Sequence, residues 1–143
     1  MATEAVVDSS VIIAVVTLEE YTVWARKILS EYTFFHILDL NYYEVANALK
    51  CKRSTRFSTE QAENAFAQAI KLMDIFGVHS FGEVIADAMN LALELNIAVY
   101  DAAFVVLADK LDMRLLTLDL KLAKKLEPTK YYGLIKAPTS SSR

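Results

Sequence analysis

Short apolar segments alternate with longer segments of helical periodicity along nearly the whole sequence. The apolar segments read as strands because they are runs of roughly four to eight β-branched or aliphatic residues. Strands that alternate with helices favour a parallel sheet with helices on both faces. We therefore predict a three-layer α/β/α fold with a central, mostly parallel sheet. The predicted strands are residues 4–8, 33–40, 77–81, 97–100, 113–118 and 130–135.

The helical segments place apolar residues three or four positions apart, as the core-facing side of a helix requires. One of these segments spans residues 58–76 and begins with the capping-box pattern Ser58-x-x-Gln61. The next helix is closed by Asn96, a residue that tolerates the left-handed backbone of a helix end. The predicted helices are residues 9–20, 19–31, 41–53, 58–76, 82–96, 101–112 and 119–127.

Length and composition favour one ordered domain. The chain has 143 residues, 55% of them hydrophobic, with only three glycines and two prolines, which is enough to bury a sizeable core. We predict a domain over residues 1–136 and a disordered tail over residues 137–143. A single cysteine, the absence of a basic leader and the absence of an apolar run of about 18 residues together predict a cytoplasmic protein without membrane contact.

Three acidic residues directly follow predicted strands: Asp8, Asp101 and Asp119. In open α/β sheets, ligands bind outside the carboxyl ends of the strands, so all three are predicted to face one edge of the sheet. A fourth acid, Glu44, lies in the first turns of its helix and has no basic neighbour three or four positions away. We predict that the four carboxyl groups converge on one pocket.

Each acid taken alone has a simpler explanation. Aspartate is a favoured helix N-cap, and Glu44 could reach back to a cap at Asn41. Capping is a weaker explanation for the acids as a set. The first helix, for example, does not need Asp8 as its cap, because Ser9 or Ser10 could cap it without a charge.

Carboxylates gathered in one cleft repel each other and are stable in the ionised form only if a cation lies among them. Oxygen ligands without cysteine or clustered histidine favour Mg²⁺ or Mn²⁺ over Zn²⁺. We predict that Asp8, Asp101 and Asp119 are the metal ligands. The two histidines, His36 and His79, stand alone in predicted strands and are expected to be structural.

Basic residues are concentrated in two segments, although the net charge of −3 gives no general indication of nucleic-acid binding. The second segment, residues 121–130, carries four lysines against one glutamate. Both segments could simply be solvated helix ends. The first segment contains no acid and carries Lys50, Lys52, Arg53 and Arg56.

Three blocks of the sequence resemble the motifs of PIN-domain ribonucleases, and most closely those of VapC-type toxins from toxin–antitoxin pairs. The blocks read "VVDSSVIIAVV", "YYEVANALK" and "YDAAFVVLADKLDMRLLTLDLKLAKKL", and the likeness spans about residues 5–126. The block from Tyr100 to Lys121 is the most specific, because it joins "YDAA", an apolar helix and "LLTLD" at the spacing of the family. The middle of the chain matches only in outline.

The resemblance implies a metal-dependent endoribonuclease that cleaves single-stranded RNA, with an antitoxin as its partner and a homodimeric assembly. It assigns the four catalytic acids to Asp8, Glu44, Asp101 and Asp119. It also assigns supporting positions to Ser9, after the first acid, and to Thr117, beside the fourth. Carboxylate-held metal can activate water and stabilise a phosphorane-like transition state, so no protein nucleophile is needed.

Under this interpretation the first basic segment would hold the RNA backbone beside the helix of Glu44. Two other functions stay open. One is a PIN nuclease that processes RNA outside toxin–antitoxin systems, and the other is a non-catalytic interaction domain on the same fold. A receiver-like or aspartyl-nucleophile domain is disfavoured, because "VVDSS" offers one acid where those sites need two.

Overall fold

The computed structural model describes residues 3–52 and 57–139. Within them, five strands form one sheet in the order β3-β2-β1-β4-β5. All four neighbouring pairs are parallel, and helices cover both faces, which confirms the predicted three-layer fold. The strands are β1 (Glu4–Val7), β2 (Phe34–Leu38), β3 (Gly77–His79), β4 (Arg114–Leu116) and β5 (Ile135–Lys136).

The helices follow the predicted order along the chain. The capping box at Ser58 is present, because the Ser58 hydroxyl accepts from the amide of Gln61 and the Gln61 side chain accepts from the amide of Ser58. Two short 3₁₀ helices cover Phe81–Glu83 and Lys130–Leu134. The α-helices are α1 (Ser9–Val16), α2 (Thr22–Ser30), α3 (Leu40–Lys52), α4 (Thr59–Asp74), α5 (Ile85–Leu95), α6 (Val99–Leu111) and α7 (Leu120–Leu126).

The strand predicted over residues 97–100 is wrong, since α6 already begins at Val99. Asn96 ends α5 in the left-handed conformation, and the Ile97 amide closes the turn on the carbonyl of Ala92. Only Ile97 and Ala98 then separate the two helices, which leaves no length for a strand. The apolar run that resembled a strand is the start of a buried helix.

The last strand is also shorter than predicted over residues 130–135. The Thr129 side chain accepts from the amide of Tyr131 and starts the 3₁₀ helix, so pairing with β4 is delayed until Ile135. Of the tail predicted over residues 137–143, residues 137–139 are described and Pro138 is buried. Residues 140–143 lie outside the described residues.

Alternate residues of the strands pack into two separate cores. Val7 of β1 and Leu116 of β4 face α1, α3 and α4. Val6 and Leu115 face α5, α6 and α7 on the other side. This alternation is the expected consequence of a sheet that is covered on both faces.

Within the described ranges, no single helix is long and apolar enough to cross a membrane. Helices α5 and α6 reach the required length and composition only as a pair, and the pair is bent by 114°. The apolar sequence of α6 is explained by its burial, because every residue from Ala102 to Ala108 is buried in the core.

The two histidines form a chain of polar contacts across the edge of the sheet. His36 Nε2 lies 2.7 Å from Glu4 Oε1, and His36 Nδ1 lies 3.0 Å from His79 Nε2. His79 Nδ1 in turn lies 3.2 Å from Glu83 Oε1. The chain therefore links β1, β2, β3 and the 3₁₀ helix that follows β3.

Replacing Gly77 by alanine is expected to destabilise the fold. A Cβ at Gly77 would lie 3.0 Å from His36 Nδ1 and 3.2 Å from Phe34 Cε2. The His36 ring has little freedom to move because both of its nitrogens are engaged, so we expect a loss of about 1–3 kcal/mol in unfolding free energy. Gly133→Ala is the matched control, since nothing lies within 4 Å of its Cβ. Urea unfolding of both variants measures the effect, and equal stabilities would contradict the tight contact.

Candidate active site

Asp8 lies between β1 and α1, and its carboxyl group accepts hydrogen bonds from two hydroxyl groups and one backbone amide. The Ser10 amide donates to Oδ1 at 3.0 Å, and the hydroxyls of Ser10 and Thr117 donate to Oδ1 and Oδ2. Burial raises the pKa of Asp8 to about 6, although these hydrogen bonds act in the opposite direction. A cation bound beside this carboxyl group would stabilise its ionised form.

Thr117 connects the first and the last of the predicted acids. It is fully buried, and its hydroxyl donates to Asp8 while accepting from the amide of Asp119 at 3.0 Å. The Asp119 side chain accepts from the amide of Leu122 at 3.0 Å and so caps α7. The short segment after β4 thus holds Asp8 and Asp119 around one threonine.

Glu44 is joined to the same region through Ser9. The Ser9 hydroxyl donates to Glu44 Oε1 at 2.8 Å, and Ser9 is buried at the start of α1. The alternative in which Glu44 reaches back to Asn41 is not observed. Asn41 instead accepts from the amide of Leu38 and donates to the carbonyl of Val7, which ties the ends of β1 and β2 together.

Asp101 lies in the first turn of α6, close enough to Glu44 and Asp119 for electrostatic interaction. Burial raises the pKa of Asp101, the charge of Asp119 raises it further, and Lys125 opposes the shift. Burial also raises the pKa of Glu44; the hydrogen bond from Ser9 opposes that shift, and the charge of Asp101 adds to it. The structure therefore brings all four predicted acids to the carboxyl edge of the sheet.

Helix capping explains some of these acids but not the set. Asp8 and Asp119 do cap α1 and α7. The N-cap position of α6, however, is Ala98, which makes no side-chain capping bond. Capping therefore gives no account of the charge at Asp101.

The donors at this edge suit a hard cation. Carboxylate and hydroxyl oxygens are the ligands that Mg²⁺ and Mn²⁺ prefer. Burial is the main cause of the raised pKa values of Asp8, Glu44 and Asp101, and a cation beside them would favour their ionised forms. In the part of the chain that the structure describes, no three or more His, Cys, Asp or Glu side chains are close enough together to form a ready-made metal site.

Ser10 is a site residue that the sequence analysis missed. It supplies two bonds to Asp8, and its hydroxyl also accepts from the amide of Leu118 at 2.9 Å. The signal was present in the sequence, because an aspartate N-cap normally accepts from the residue two or three positions later. What the sequence does not reveal is the second contact, which reaches across to the end of β4.

The structure describes two of the four predicted RNA-binding residues, Lys50 and Lys52. Lys50 is exposed near the end of α3, while Lys52 Nζ lies 3.3 Å from Glu19 Oε2. Arg53 and Arg56 lie outside the described residues. Of the two described lysines, Lys50 is therefore the more exposed one.

An apolar cavity of about 310 Å³ adjoins the acids. Its lining includes Tyr43 and Tyr100, which directly precede Glu44 and Asp101, together with Phe81 and Ile85. Tyr43, Phe81 and Tyr100 are 80%, 63% and 62% exposed. This is an unusual amount of exposed aromatic surface beside a polar site.

Comparisons with known proteins agree on one family. Residues 5–126 match the PIN domain. The chain is 42% identical over 121 residues to ribonuclease VapC3 of Pyrobaculum aerophilum, an alignment that covers 84% of this chain and 92% of that protein. A crystal structure of PAE2754 from Pyrobaculum aerophilum superposes with a TM-score of 0.63 at 29% identity, covering 94% of this chain and 84% of the other.

Two further structures share the fold at low sequence identity. A toxin–antitoxin complex from Klebsiella pneumoniae gives a TM-score of 0.69 at 15% identity, covering 94% of this chain and 98% of that one. VapBC2 from Rickettsia felis, bound to a DNA fragment from its promoter, gives 0.63 at 8% identity, with coverages of 95% and 99%. At these identities the two comparisons establish the fold alone.

Thr117→Val is expected to destabilise the protein, because it removes a buried donor to Asp8 and an acceptor for the amide of Asp119. Leaving such groups unsatisfied should lower the unfolding free energy by about 1–3 kcal/mol at neutral pH. Thr33→Val is the control, since the Thr33 hydroxyl makes a single bond, to the carbonyl of Thr3, at the exposed surface. Thermal and urea unfolding measure both variants, and equal losses would show that Thr117 does not support Asp8.

Proposed function

The chain belongs to the PIN-domain family, and we propose that it is a metal-dependent endoribonuclease that cleaves single-stranded RNA as the toxin of a toxin–antitoxin pair. The observation that carries this proposal is the meeting of Asp8, Glu44, Asp101 and Asp119 at one edge of the sheet. Three of the four have raised pKa values. The similarity to ribonuclease VapC3 supports nuclease chemistry at this edge.

Asp8, Asp101 and Asp119 would hold Mg²⁺ or Mn²⁺, which supplies an activated water and neutralises charge on the reacting phosphate. The hydroxyls of Ser10 and Thr117 fix both oxygens of Asp8, so that this carboxylate is positioned before any substrate arrives. The Glu44 carboxylate, oriented by Ser9, is suited to accept a proton from the attacking water, and burial raises its pKa and so makes it a stronger base.

The assembly that we propose is a homodimer that also binds a cognate antitoxin. The exposed aromatic surface of Tyr43, Phe81 and Tyr100 continues onto α5 through Ile85 and Met89. A second copy of the chain is the partner that we propose for this surface. The resemblance to VapC proteins supports the antitoxin as the second partner. We also propose that the protein acts in the cytoplasm.

Asp101→Asn is expected to lower RNA cleavage by at least about 100-fold while leaving the fold intact. Asparagine keeps the shape of the side chain, and no capping bond is lost because Asp101 does not cap α6. Asp109→Asn, on the exposed side of the same helix, is the matched control and should cleave at the parent rate. Cleavage of a labelled single-stranded RNA with Mg²⁺, together with circular dichroism, tests the pair. Parental activity in Asp101→Asn would remove Asp101 from the site.

Metal should stabilise the protein independently of any substrate. Mg²⁺ or Mn²⁺ binds the assembled carboxylates but not the unfolded chain, so a hundredfold excess over the dissociation constant adds about 2.7 kcal/mol. For a domain of this size the melting temperature rises on the order of 10 °C.

The Asp101→Asn variant should lose most of this metal-induced shift and should melt higher than the parent without metal, since one repelling charge is gone. Asp109→Asn should retain the full shift. Thermal melts with chelator and with titrated Mg²⁺ measure all three proteins. Equal shifts in the parent and in Asp101→Asn would mean that the metal binds elsewhere.

A further inference from the structure

A groove of about 490 Å³ runs between α7 and the C-terminal strand β5. Three basic residues line it, Arg114, Lys124 and Lys136, together with the aromatic ring of Tyr132. We infer that this groove holds the single-stranded RNA next to the cleaved bond, with its phosphates on the three basic residues and a base on Tyr132. The inference rests on the proposed nuclease function and adds to it a second RNA-binding surface.

The groove begins beside the acids. Its lining residue Leu120 directly follows Asp119. At the same end, the carbonyl of Lys136 accepts from the amide of Thr117 at 3.0 Å, and Thr117 in turn contacts Asp8. A strand that leaves the acid cluster along α7 therefore enters the groove without crossing other parts of the surface.

The other end of the groove lies towards the opposite edge of the sheet. Arg114 is the first residue of β4, and Glu127 follows the last residue of α7. Lys124 lies between the two ends. The three basic residues are thus spread along the groove, as contacts with successive phosphates of an extended strand require.

The segment around the groove is positively charged, although the whole chain has a negative net charge. Residues 114–136 contain six basic residues and only two acids, in a chain of net charge −3. Arg114, Lys124 and Lys136 are exposed, and among the described residues none of the three pairs with a carboxylate. The four acids of the site repel a polyanion, so a basic surface directly beside them supplies the attraction that RNA binding needs.

Tyr132 and its neighbours favour a single strand over a duplex. The Tyr132 side chain is 48% exposed, and Leu120 and Ile135 add apolar surface beside it. Unpaired bases stack on exposed aromatic rings, whereas the bases of a duplex are stacked on each other and are not available. The combination of separated cations with one open ring is typical of surfaces that bind single strands with little sequence preference.

The first test measures binding of a fluorescein-labelled oligouridylate of about 12 nucleotides to the Asp101→Asn protein at several salt concentrations. Affinity falls as salt rises, so the slope of log affinity against log salt is negative. Adding Lys124→Ala and Lys136→Ala should make this slope shallower by about 0.7 for each lost phosphate contact. The control carries Lys27→Ala and Lys71→Ala, two exposed lysines on α2 and α4. It removes the same charge from other surfaces and should leave the slope nearly unchanged.

The second test separates stacking from charge. Tyr132→Ala should weaken binding of the same oligonucleotide about fivefold or more, whereas Tyr132→Phe keeps the ring and should bind like the parent. With Asp101 restored, the groove variants should raise the KM for RNA cleavage and leave kcat close to that of the parent. A merely structural effect would instead lower the melting temperature and kcat together.

The outcomes distinguish this inference from the proposed function. Equal salt slopes for the groove pair and the control pair, in a protein that still cleaves RNA, would overturn the groove and leave the nuclease intact. A parent chain that neither binds nor cleaves single-stranded RNA would overturn both. An equal loss of affinity for duplex DNA of the same length would show that the groove is a general anion surface and would overturn its assignment to single strands.

Discussion

The structure of the site depends on the carboxyl group of Asp8, which is partly buried and has no ion-pair partner among the described residues. A buried acid is tolerated only if its oxygens are hydrogen-bonded. Here the donors are Ser10, from the first turn of α1, and Thr117, from the end of β4. This requirement sets the pairing of β1 with β4 at their carboxyl ends, where the amide of Asp8 also donates to the carbonyl of Leu116.

The sheet order puts this residue where a ligand site is expected. The chain passes from β1 outwards to β2 and β3 on one side, and later to β4 and β5 on the other. A crevice opens where the order reverses, and Asp8 lies at that point. Glu44 and Asp101 then approach from helices on opposite faces of the sheet, since α3 packs with the first core and α6 with the second.

Much of this arrangement could be predicted from the sequence. The positions of Asp8 and Asp119 follow from the strands that precede them, and both strands were predicted in nearly the right place. Asp101 was predicted to follow a strand, and that strand is absent. It still lies near the carboxyl edge of the sheet, because the first turn of α6 brings it to the place that a strand end would occupy. The position of Glu44 depended on a helix phase in which Val45, Ala48 and Leu49 face the core; Val45 and Leu49 are buried, whereas Ala48 is only half-buried.

The contacts that could not be predicted are those between distant segments. The chain of His36 and His79 joins residues 43 positions apart on neighbouring strands, and it depends on the order of strands, which local patterns do not reveal. The second contact of Ser10 depends in the same way on the neighbouring β4. The apolar cavity at Tyr43 and Tyr100 also depends on contacts between distant segments, because it is lined by residues of α3, α5 and α6.

The bond between Thr117 and Asp8 spans 109 positions of the sequence, and this separation has a consequence for synthesis. Asp8 therefore leaves the ribosome well before its donor Thr117 and the fourth acid, Asp119, which both follow β4 in the sequence. Parallel sheets close through such long-range contacts, which form late in folding. An unfinished chain that stops before Thr117 therefore contains two or three of the acids but lacks the contacts that hold them together. The complete acid cluster forms only when translation of the domain is nearly finished.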